Sequence, residues 1–310
     1  MKQSVQPEKI GSVVLDFFGT VPEEVYCEGT DVEERVLQIF KAGEDPIEVL
    51  KQDNRWPLLY QLSASRGNIT LPMQLDKDKT VLDLGSGMGA ITAAIASRCG
   101  RVDCVDISLA RCRANAYRNR DAKNVRIHVG NIMQYESEEQ YDIILLIGVL
   151  EYAAVFCDEE NPFDKILQLC KKWLKPNGIL YIAIENRIGI KYMAGCNEDH
   201  LGRPFVGVEG YHCQEKMRTF SRSELLEIVE RAGFVSSFFY YPLPDYKLPI
   251  VIYSDDYLPG NELNLPFPTN YDADRYFCFN DVLTLKSLRS SDEFKMLANS
   301  FLLEVRKEDK

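Results

Sequence analysis

The sequence lacks any apolar run long enough to cross a membrane, and its first ten residues, MKQSVQPEKI, contain no apolar segment of a secretion signal. The longest apolar run, 143–150, has the length of a buried strand. The nine cysteines include no C-x-x-C pair and no cluster with histidine, so no metal site is expected. An odd number of cysteines without a secretion signal predicts reduced thiols and a cytoplasmic location.

Basic residues are fewer than acidic ones, with 36 lysines and arginines against 47 aspartates and glutamates, and the formal net charge is −11. A protein that binds duplex nucleic acid normally carries an excess of positive charge, so nucleic acid is not an expected partner. A local group of basic residues at 111–126 is typical of a solvated helix face. Histidine is scarce as well, and its three occurrences limit the candidates for a general base.

The most informative stretch that is present runs from Thr80 to Thr92, TVLDLGSGMGAIT. An apolar run ends in three glycines at alternate positions, Gly85, Gly87 and Gly89, and small residues in a helical pattern follow. This order predicts a buried strand, a tight turn and the start of a helix. Glycines at such a turn permit positive φ and let a ligand approach the main chain, so we expect a nucleotide-like cofactor above it.

The glycines alone leave two cofactor classes open. Gly85, Gly87 and Ala90 satisfy the G-x-G-x-x-G/A fingerprint of dinucleotide enzymes, and Asp106 supplies the acidic residue expected about 20 positions later. Against this, Asp83 places a carboxylate inside the strand, where it can hold a cationic amino acid moiety of the cofactor. Gly89 also removes the side chain from the position where a pyrophosphate usually meets the helix.

With the order of the later segments, the stretch resembles the class I S-adenosylmethionine-dependent methyltransferases. The resemblance covers about 80–186 and implies that Asp106 binds the ribose hydroxyls, that Asn131 faces the adenine amino group, and that GVLEY, 148–152, forms the wall beneath the sulfonium. A guanidinium suits the cofactor carboxylate, which makes Arg66 a candidate. The expected cofactor-binding residues are Arg66, Asp83, Gly85, Ser86, Gly87, Gly89, Asp106, Ile107, Asn131, Ile132 and Gly148.

The expected fold is α/β, a Rossmann-like sheet of seven mostly parallel strands with the first strand at its centre. The predicted strands are 80–84, 101–106, 125–129, 141–149, 178–185, 234–241 and 295–305, the last antiparallel beside the fifth. Residues 1–70 are predicted to form an N-terminal helical cap, whose aromatic stretch either covers the sheet edge or closes as a lid. Residues 71–310 form the methyltransferase domain, with a loop insertion at 186–219 and an irregular segment at 242–280.

The long loop after the fifth strand is the expected acceptor site, because loops of this length inside a compact domain are usually functional. A hydroxyl acceptor needs a base, for which we expect His200, with His212 in reserve and Glu185 at the strand end. Asp199 is expected to raise the basicity of His200. The expected substrate-binding residues are Tyr60, Tyr152, Asn186, Arg187 and Tyr211.

The loop and the segment YYPLPDYKLP resemble methyltransferases found with bacterial glycosyltransferases of cell-surface polysaccharide assembly. This resemblance implies O-methylation of a sugar or a glycan-related small molecule, and some of these relatives carry a further domain. The alternatives are an NAD(P)-dependent oxidoreductase and a catalytically silent methyltransferase-like module in a glycan-assembly complex. The acceptor, the methylated atom and the oligomeric state stay open.

Overall fold

A computed structural model describes residues 6–19, 30–157, 159–212, 215–261, 263 and 274–307. The chain divides into two compact units, of which unit 1 comprises Met1–Leu146 and Trp173–Gly178, and unit 2 comprises Ile147–Lys172 and Ile179–Lys310. Within the described part, no helix is long and apolar enough to cross a membrane. The described cysteines, at positions 99, 104, 112, 157, 170, 196 and 278, are free thiols.

Unit 1 is a sheet of largely parallel strands with helices packed on it. Its strands are β1 (Glu8–Ile10), β2 (Val13–Phe17), β3 (Thr80–Leu84), β4 (Arg101–Asp106), β5 (Val125–Val129) and β6 (Tyr141–Ile147, which ends one residue beyond the unit). Its helices are α1 (Thr30–Ala42), α2 (Pro46–Gln52), α3 (Trp56–Leu62), α4 (Ala90–Ala96) and α5 (Leu109–Arg118).

The strand order in unit 1 is β1-β2-β5-β4-β3-β6. β3 pairs in parallel with β4 on one side and with β6 on the other, which confirms the interior position predicted for it. The apolar side chains of β3 are fully buried, as expected of a strand covered on both faces. Parallel pairing brings the carboxyl ends of β3, β4 and β5 to one edge, where α/β sheets bind their ligands.

The predicted helical cap is not confirmed. Helices α1, α2 and α3 are present, but residues 8–17 form an antiparallel hairpin, and β2 extends the sheet in parallel beside β5. The five-residue strand β2 shows too short an alternation to be recognised in the sequence. Its pairing with a partner more than a hundred residues away decides its structure.

Unit 2 contains α6 (Ala153–Phe156), α7 (Pro162–Trp173), β7 (Leu174–Glu185), α8 (Ile190–Met193), α9 (Arg222–Arg231), β8 (Ser236–Leu243), β9 (Val251–Ser254), α10 (Asp281–Ser287), α11 (Asp292–Leu297) and β10 (Ser300–Arg306). The last residue of α7 and the first five of β7 belong to unit 1. The strand order is β7-β10-β8-β9, and all pairs are antiparallel.

The antiparallel last strand predicted beside the fifth is confirmed, with Ser300 opposite Glu185 and Arg306 opposite Ile179. It begins later than predicted, because residues 295–297 belong to α11. The prediction of seven strands is wrong, since the described residues contain ten. The three additional strands are β1, β2 and β9, and β9 lies inside the segment predicted to be irregular.

Candidate functional site

The turn after β3 has the backbone geometry that its glycines predict. Gly85, Gly87 and Gly89 have φ values of 66°, 52° and 78°, in the left-handed region that side chains disfavour. A Cβ atom on Gly89 would lie 2.3 Å from Oδ1 of Asn115, so this glycine lets the turn pack against α5. A Cβ on Gly87 would meet nothing within 4 Å, so the main chain at the middle of the turn is open to a ligand.

The carboxylate of Asp106 joins the ends of β3 and β4. Its Oδ2 accepts a hydrogen bond of 2.8 Å from the Gly87 amide, and its Oδ1 accepts one of 2.9 Å from the Ser108 amide. Each carboxylate oxygen keeps a second lone pair, so the group can still accept hydrogen bonds from a ribose. Ile107 is half-buried directly after it.

Asp83 is buried beneath this turn, and its Oδ2 accepts a hydrogen bond of 2.8 Å from the Thr92 hydroxyl. Burial raises the pKa of Asp83 to about 7, which the hydrogen bond from Thr92 only partly offsets. Asn115 connects the same region to Ser86, with 3.2 Å between its Nδ2 and the serine hydroxyl. A positive charge placed beside Asp83 would therefore stabilise the ionised form of its carboxyl group.

Three further residues expected at the cofactor lie in or directly before short 3₁₀ turns of unit 1. Arg66 is buried, with its guanidinium carbon 4.4 Å from the ring centroid of Tyr60, so the structure brings these two expected residues together. Asn131 precedes the short 3₁₀ turn that starts at Ile132, and its Oδ1 accepts a hydrogen bond of 2.9 Å from the amide of Met133.

In unit 2, Gly148 follows β6 with a φ of 69°. A Cβ on Gly148 would lie 2.7 Å from the hydroxyl of Tyr246, so a larger residue would collide at this point. The glycine is therefore required by local packing as well as by its backbone conformation.

Unit 2 contains a second candidate site, the carboxylate–imidazole cluster of Glu151, Glu185 and His200. One side-chain atom of each residue lies within 4.8 Å of the other two, and His200 Nε2 is 3.5 Å from Glu185 Oε2. The exposed fractions of Glu151 and Glu185 are 1% and 0%, and the His200 side chain is 6% exposed. Oε2 of each glutamate and Nε2 of His200 are buried without a hydrogen-bond partner in the described structure.

The second ring nitrogen of His200 and the second carboxylate oxygen of Glu185 each contact another side chain. Nδ1 of His200 is 3.0 Å from the hydroxyl of Tyr152, which lies on the segment after β6. Oε1 of Glu185 accepts a hydrogen bond from the Lys247 ammonium. The carboxylate of Glu198 accepts the backbone amide of His200 at 2.9 Å and that of Leu201 at 2.7 Å, which fixes the loop at the histidine.

Burial and charge shift every pKa in the cluster. Burial raises the pKa of Glu151 to about 8, and the nearby charge of Glu185 adds to this rise. Burial would also raise the pKa of Glu185, but Lys247 and His200 hold it well below its usual range. Burial, the largest single cause, would lower the pKa of His200, yet the charge and contact of Glu185 together with the charges of Glu151 and Glu198 outweigh it and raise this pKa to about 9. His200 therefore keeps its proton at neutral pH.

Asp199 does not act on His200 as the sequence led us to expect. Its carboxylate lies 2.9 Å from the Lys191 ammonium and 3.4 Å from that of Lys247, and it accepts a hydrogen bond from the Tyr192 hydroxyl. Lys191 is also 3.7 Å from the buried carboxylate of Asp245. Asp199 is thus paired with two lysines. Glu185, and not Asp199, is the carboxylate that lies beside the imidazole of His200.

The structure does not bring the other expected acceptor residues into this cluster. His212 is exposed. The Asn186 amide donates to the carbonyl groups of Met296 and Ala298, which ties the end of β7 to the segment before β10. Arg187 donates to the carboxylate of Glu224 and to a loop carbonyl, and the Tyr211 hydroxyl donates to Glu198 and meets Thr219 at 2.8 Å. These contacts stabilise the conformation of the loop 186–219.

Sequence reasoning missed Glu151, Lys247 and Lys191. The three cluster residues are separated by 34 and 15 positions, so no local spacing marks them as a set. The only available signal was an acidic residue in GVLEY, directly after the apolar strand β6.

Comparison with known proteins agrees with the first site. Residues 82–180 match the family described as "Methyltransferase domain". The chain is 29% identical over 116 residues to the ubiquinone biosynthesis O-methyltransferase of Rickettsia typhi, covering 37% of this chain and 44% of that protein. It is 26% identical over 142 residues to phosphoethanolamine N-methyltransferase 1 of Caenorhabditis elegans, covering 46% and 27%. The chain thus spans less than half the length of these relatives.

A solved Haloferax volcanii complex, between the Trm112 methyltransferase activator and a candidate methyltransferase, contains a chain of similar fold. The TM-score is 0.51 at 16% identity, and the match covers 92% of this chain and 100% of that one. The match of residues 82–180 to the methyltransferase family confirms S-adenosylmethionine as the expected cofactor. Residues 82–180 thus resemble a methyltransferase domain, and the strand order of unit 1 agrees with this resemblance.

Proposed function

We propose that this protein transfers a methyl group from S-adenosylmethionine to a hydroxyl of a sugar or a glycan-related small molecule, in the cytoplasm. The observation that carries the methyl transfer is the open glycine turn closed by Asp106, within the segment that matches the methyltransferase family. Support for a sugar acceptor comes from the glycines, aromatic residues and mixed charges of the loop 186–219. The free cysteines agree with a reducing compartment.

In this proposal, the residues of unit 1 bind and orient the cofactor. The open main chain at Gly87 lets the cofactor lie close to the turn, and Asp106 accepts hydrogen bonds from its ribose hydroxyls. Asp83 and Arg66 carry opposite charges, which suit the ammonium and the carboxylate of the cofactor's amino acid part. Asn131 and Ile132 take the adenine.

Methyl transfer is an in-line displacement, so positioning supplies much of the catalysis. A hydroxyl acceptor must also lose its proton, and we propose that this occurs at the carboxylate–imidazole cluster. The buried histidine beside two glutamates supports a role for the cluster in removing a proton.

The proposal is tested by replacing His200 with alanine. Turnover should fall by roughly a hundredfold or more, because the deprotonating cluster loses its imidazole, while binding of S-adenosylmethionine stays unchanged. The measurement is S-adenosylhomocysteine formation with extracts of candidate acceptors, with Glu209→Gln, an exposed change in the same loop, as the matched control. Near-normal turnover of His200→Ala would remove the cluster from the reaction. Cofactor binding without turnover in the unmodified protein would favour the catalytically silent module.

A further inference from the structure

We propose that the carboxylate–imidazole cluster is a binding site for one divalent transition-metal ion, with Glu151 Oε2, Glu185 Oε2 and His200 Nε2 as its three protein ligands. Two carboxylates and one imidazole form a donor set that zinc and similar ions accept. The role of this metal site in methyl transfer rests on the proposed function. The presence of the site can be tested without any acceptor.

The first argument is the convergence of unpartnered atoms. One potential ligand atom of each residue lies within 4.8 Å of the other two, and Oε2 of Glu151, Oε2 of Glu185 and Nε2 of His200 are buried without a hydrogen-bond partner in the described structure. Buried polar atoms normally find a partner, because leaving one without costs about 1–3 kcal/mol. The glutamates are 0% and 1% exposed, and His200 would release its Nε2 proton on binding the ion, so that all three residues can act as ligands.

The spacing agrees with a tetrahedral ion. Ligand atoms that each lie about 2.1 Å from a zinc ion are roughly 3.4 Å from one another. His200 Nε2 and Glu185 Oε2 are 3.5 Å apart, so these two are already placed as neighbouring ligands. Rotation of the Glu151 side chain completes the set of three.

The second argument is the support behind the ligands. The remaining ring nitrogen of a metal-bound histidine is usually held by a hydrogen bond, and ligating carboxylates are held in the same way. Nδ1 of His200 lies 3.0 Å from the Tyr152 hydroxyl, and Oε1 of Glu185 is bound by Lys247. Both residues thus have one atom fixed by the protein and the other directed at the shared position.

The charge of the surroundings also favours a cation. Contacts join three carboxylates, those of Glu185, Asp199 and Asp245, to two ammonium groups, those of Lys191 and Lys247. Lys191 is occupied by the two aspartates, and Lys247 by Glu185 Oε1 and Asp199. A divalent ion reduces the excess of negative charge and leaves these ion pairs intact.

Three protein ligands leave a fourth position open, as in catalytic rather than structural zinc sites. An acceptor hydroxyl bound there would have a lowered pKa and lose its proton to solvent. Its oxygen then forms the new bond to the methyl carbon, the carbon–sulfur bond breaks, and its electron pair stays on sulfur to give S-adenosylhomocysteine. In this arrangement His200 holds the ion and does not act as the base expected from the sequence.

The test uses Co²⁺ as the probe, because tetrahedral Co²⁺ absorbs visible light far more strongly than Co²⁺ in water. The full chain, freed of any histidine tag and of bound metal, is titrated with Co²⁺ and then with Zn²⁺. We expect one equivalent of Co²⁺ to produce the tetrahedral absorption, and Zn²⁺ to abolish it by displacement. Glu151→Gln, Glu185→Gln and His200→Gln should each lose the absorption, and Tyr152→Phe should weaken Co²⁺ binding about tenfold.

Glu209→Gln, an exposed glutamate of the same loop, is the matched control and should bind Co²⁺ like the unmodified protein. Calorimetry with S-adenosylmethionine on every variant shows that each is folded and that the cofactor site is intact. No Co²⁺ absorption in the unmodified protein, or absorption that survives the three ligand changes, overturns the metal site while cofactor binding stays normal. Failure of the cofactor to bind would contradict the proposed function instead.

Discussion

Asp83 is the residue whose electrostatics give the clearest pH dependence. It is buried, and burial raises its pKa to about 7 from the ordinary value of 3.8. A carboxyl group with a raised folded pKa binds its proton more tightly in the folded state, so its contribution to stability is complete below about pH 4 and is lost as the pH rises to about 7. The expected loss is at most about 4 kcal/mol, at about 1.4 kcal/mol per pKa unit.

Asp83→Asn removes this charge and keeps an oxygen that can accept the Thr92 hydroxyl. The free energy of unfolding of the variant minus that of the unmodified protein should therefore rise by about 2–3 kcal/mol between about pH 5 and pH 8. Urea unfolding at several pH values measures it, and Asp78→Asn, an exposed change before β3, is the control. A difference that does not vary with pH would mean that Asp83 ionises as easily in the folded protein as in the unfolded one.

The two candidate sites differ in how far single residues could be predicted. Gly85, Gly87, Gly89 and Asp106 follow from a local pattern, because a strand, a turn and the next strand end bring them together over 22 positions. The carboxylate–imidazole cluster does not follow from a local pattern, because only the fold of unit 2 brings Glu151 close to His200. The pairing of Asp199 with two lysines depends on the same non-local contacts and was missed for the same reason.

At the scale of elements, helix α9 follows most directly from its own sequence. The hydroxyl of Ser221 accepts a hydrogen bond from the amide of Glu224, and the carboxylate of Glu224 accepts one from the amide of Ser221, so a Ser-x-x-Glu capping box is present at its start. Such a box satisfies two amides that a helix otherwise leaves unpaired.

Ser221→Ala should lower the free energy of unfolding by about 1 kcal/mol, since the amide of Glu224 loses its partner. Denaturant unfolding measures the change, and Glu227→Ala, an exposed change in the middle of α9, should alter it by less than about 0.5 kcal/mol. Equal effects of the two changes would show that the capping box contributes nothing specific.

Strands were predictable where the alternation of strand and helix was regular. Strands β3 to β7 were found because each carries buried apolar residues within the regular alternation of strands and helices. Strands β2 and β9 were missed because five and four residues are too few to show a clear alternation, whether the partner is the distant β5 or the neighbouring β8. Residues 264–273 of the segment predicted to be irregular lie outside the described residues.

At the scale of the whole molecule, the chain combines the segment 82–180, which matches the methyltransferase family, with residues outside that segment. The match ends at residue 180, whereas the cluster draws Glu185, His200 and Lys247 from beyond it. Cofactor binding is thus the part of the proposal that the family supports most directly. The proposed acceptor and metal site depend mainly on residues outside the matched segment.

The most direct test of the central claim is isothermal titration calorimetry of the whole chain with S-adenosylmethionine, S-adenosylhomocysteine and NADH. We expect the first two to bind and NADH to give no heat. Asp106→Ala should weaken binding by roughly 1.5–3 kcal/mol, because the ribose loses its charged acceptor, while Asp121→Ala, an exposed change after α5, should bind normally. Binding of NADH in place of S-adenosylmethionine, or unchanged affinity in Asp106→Ala, would contradict the account.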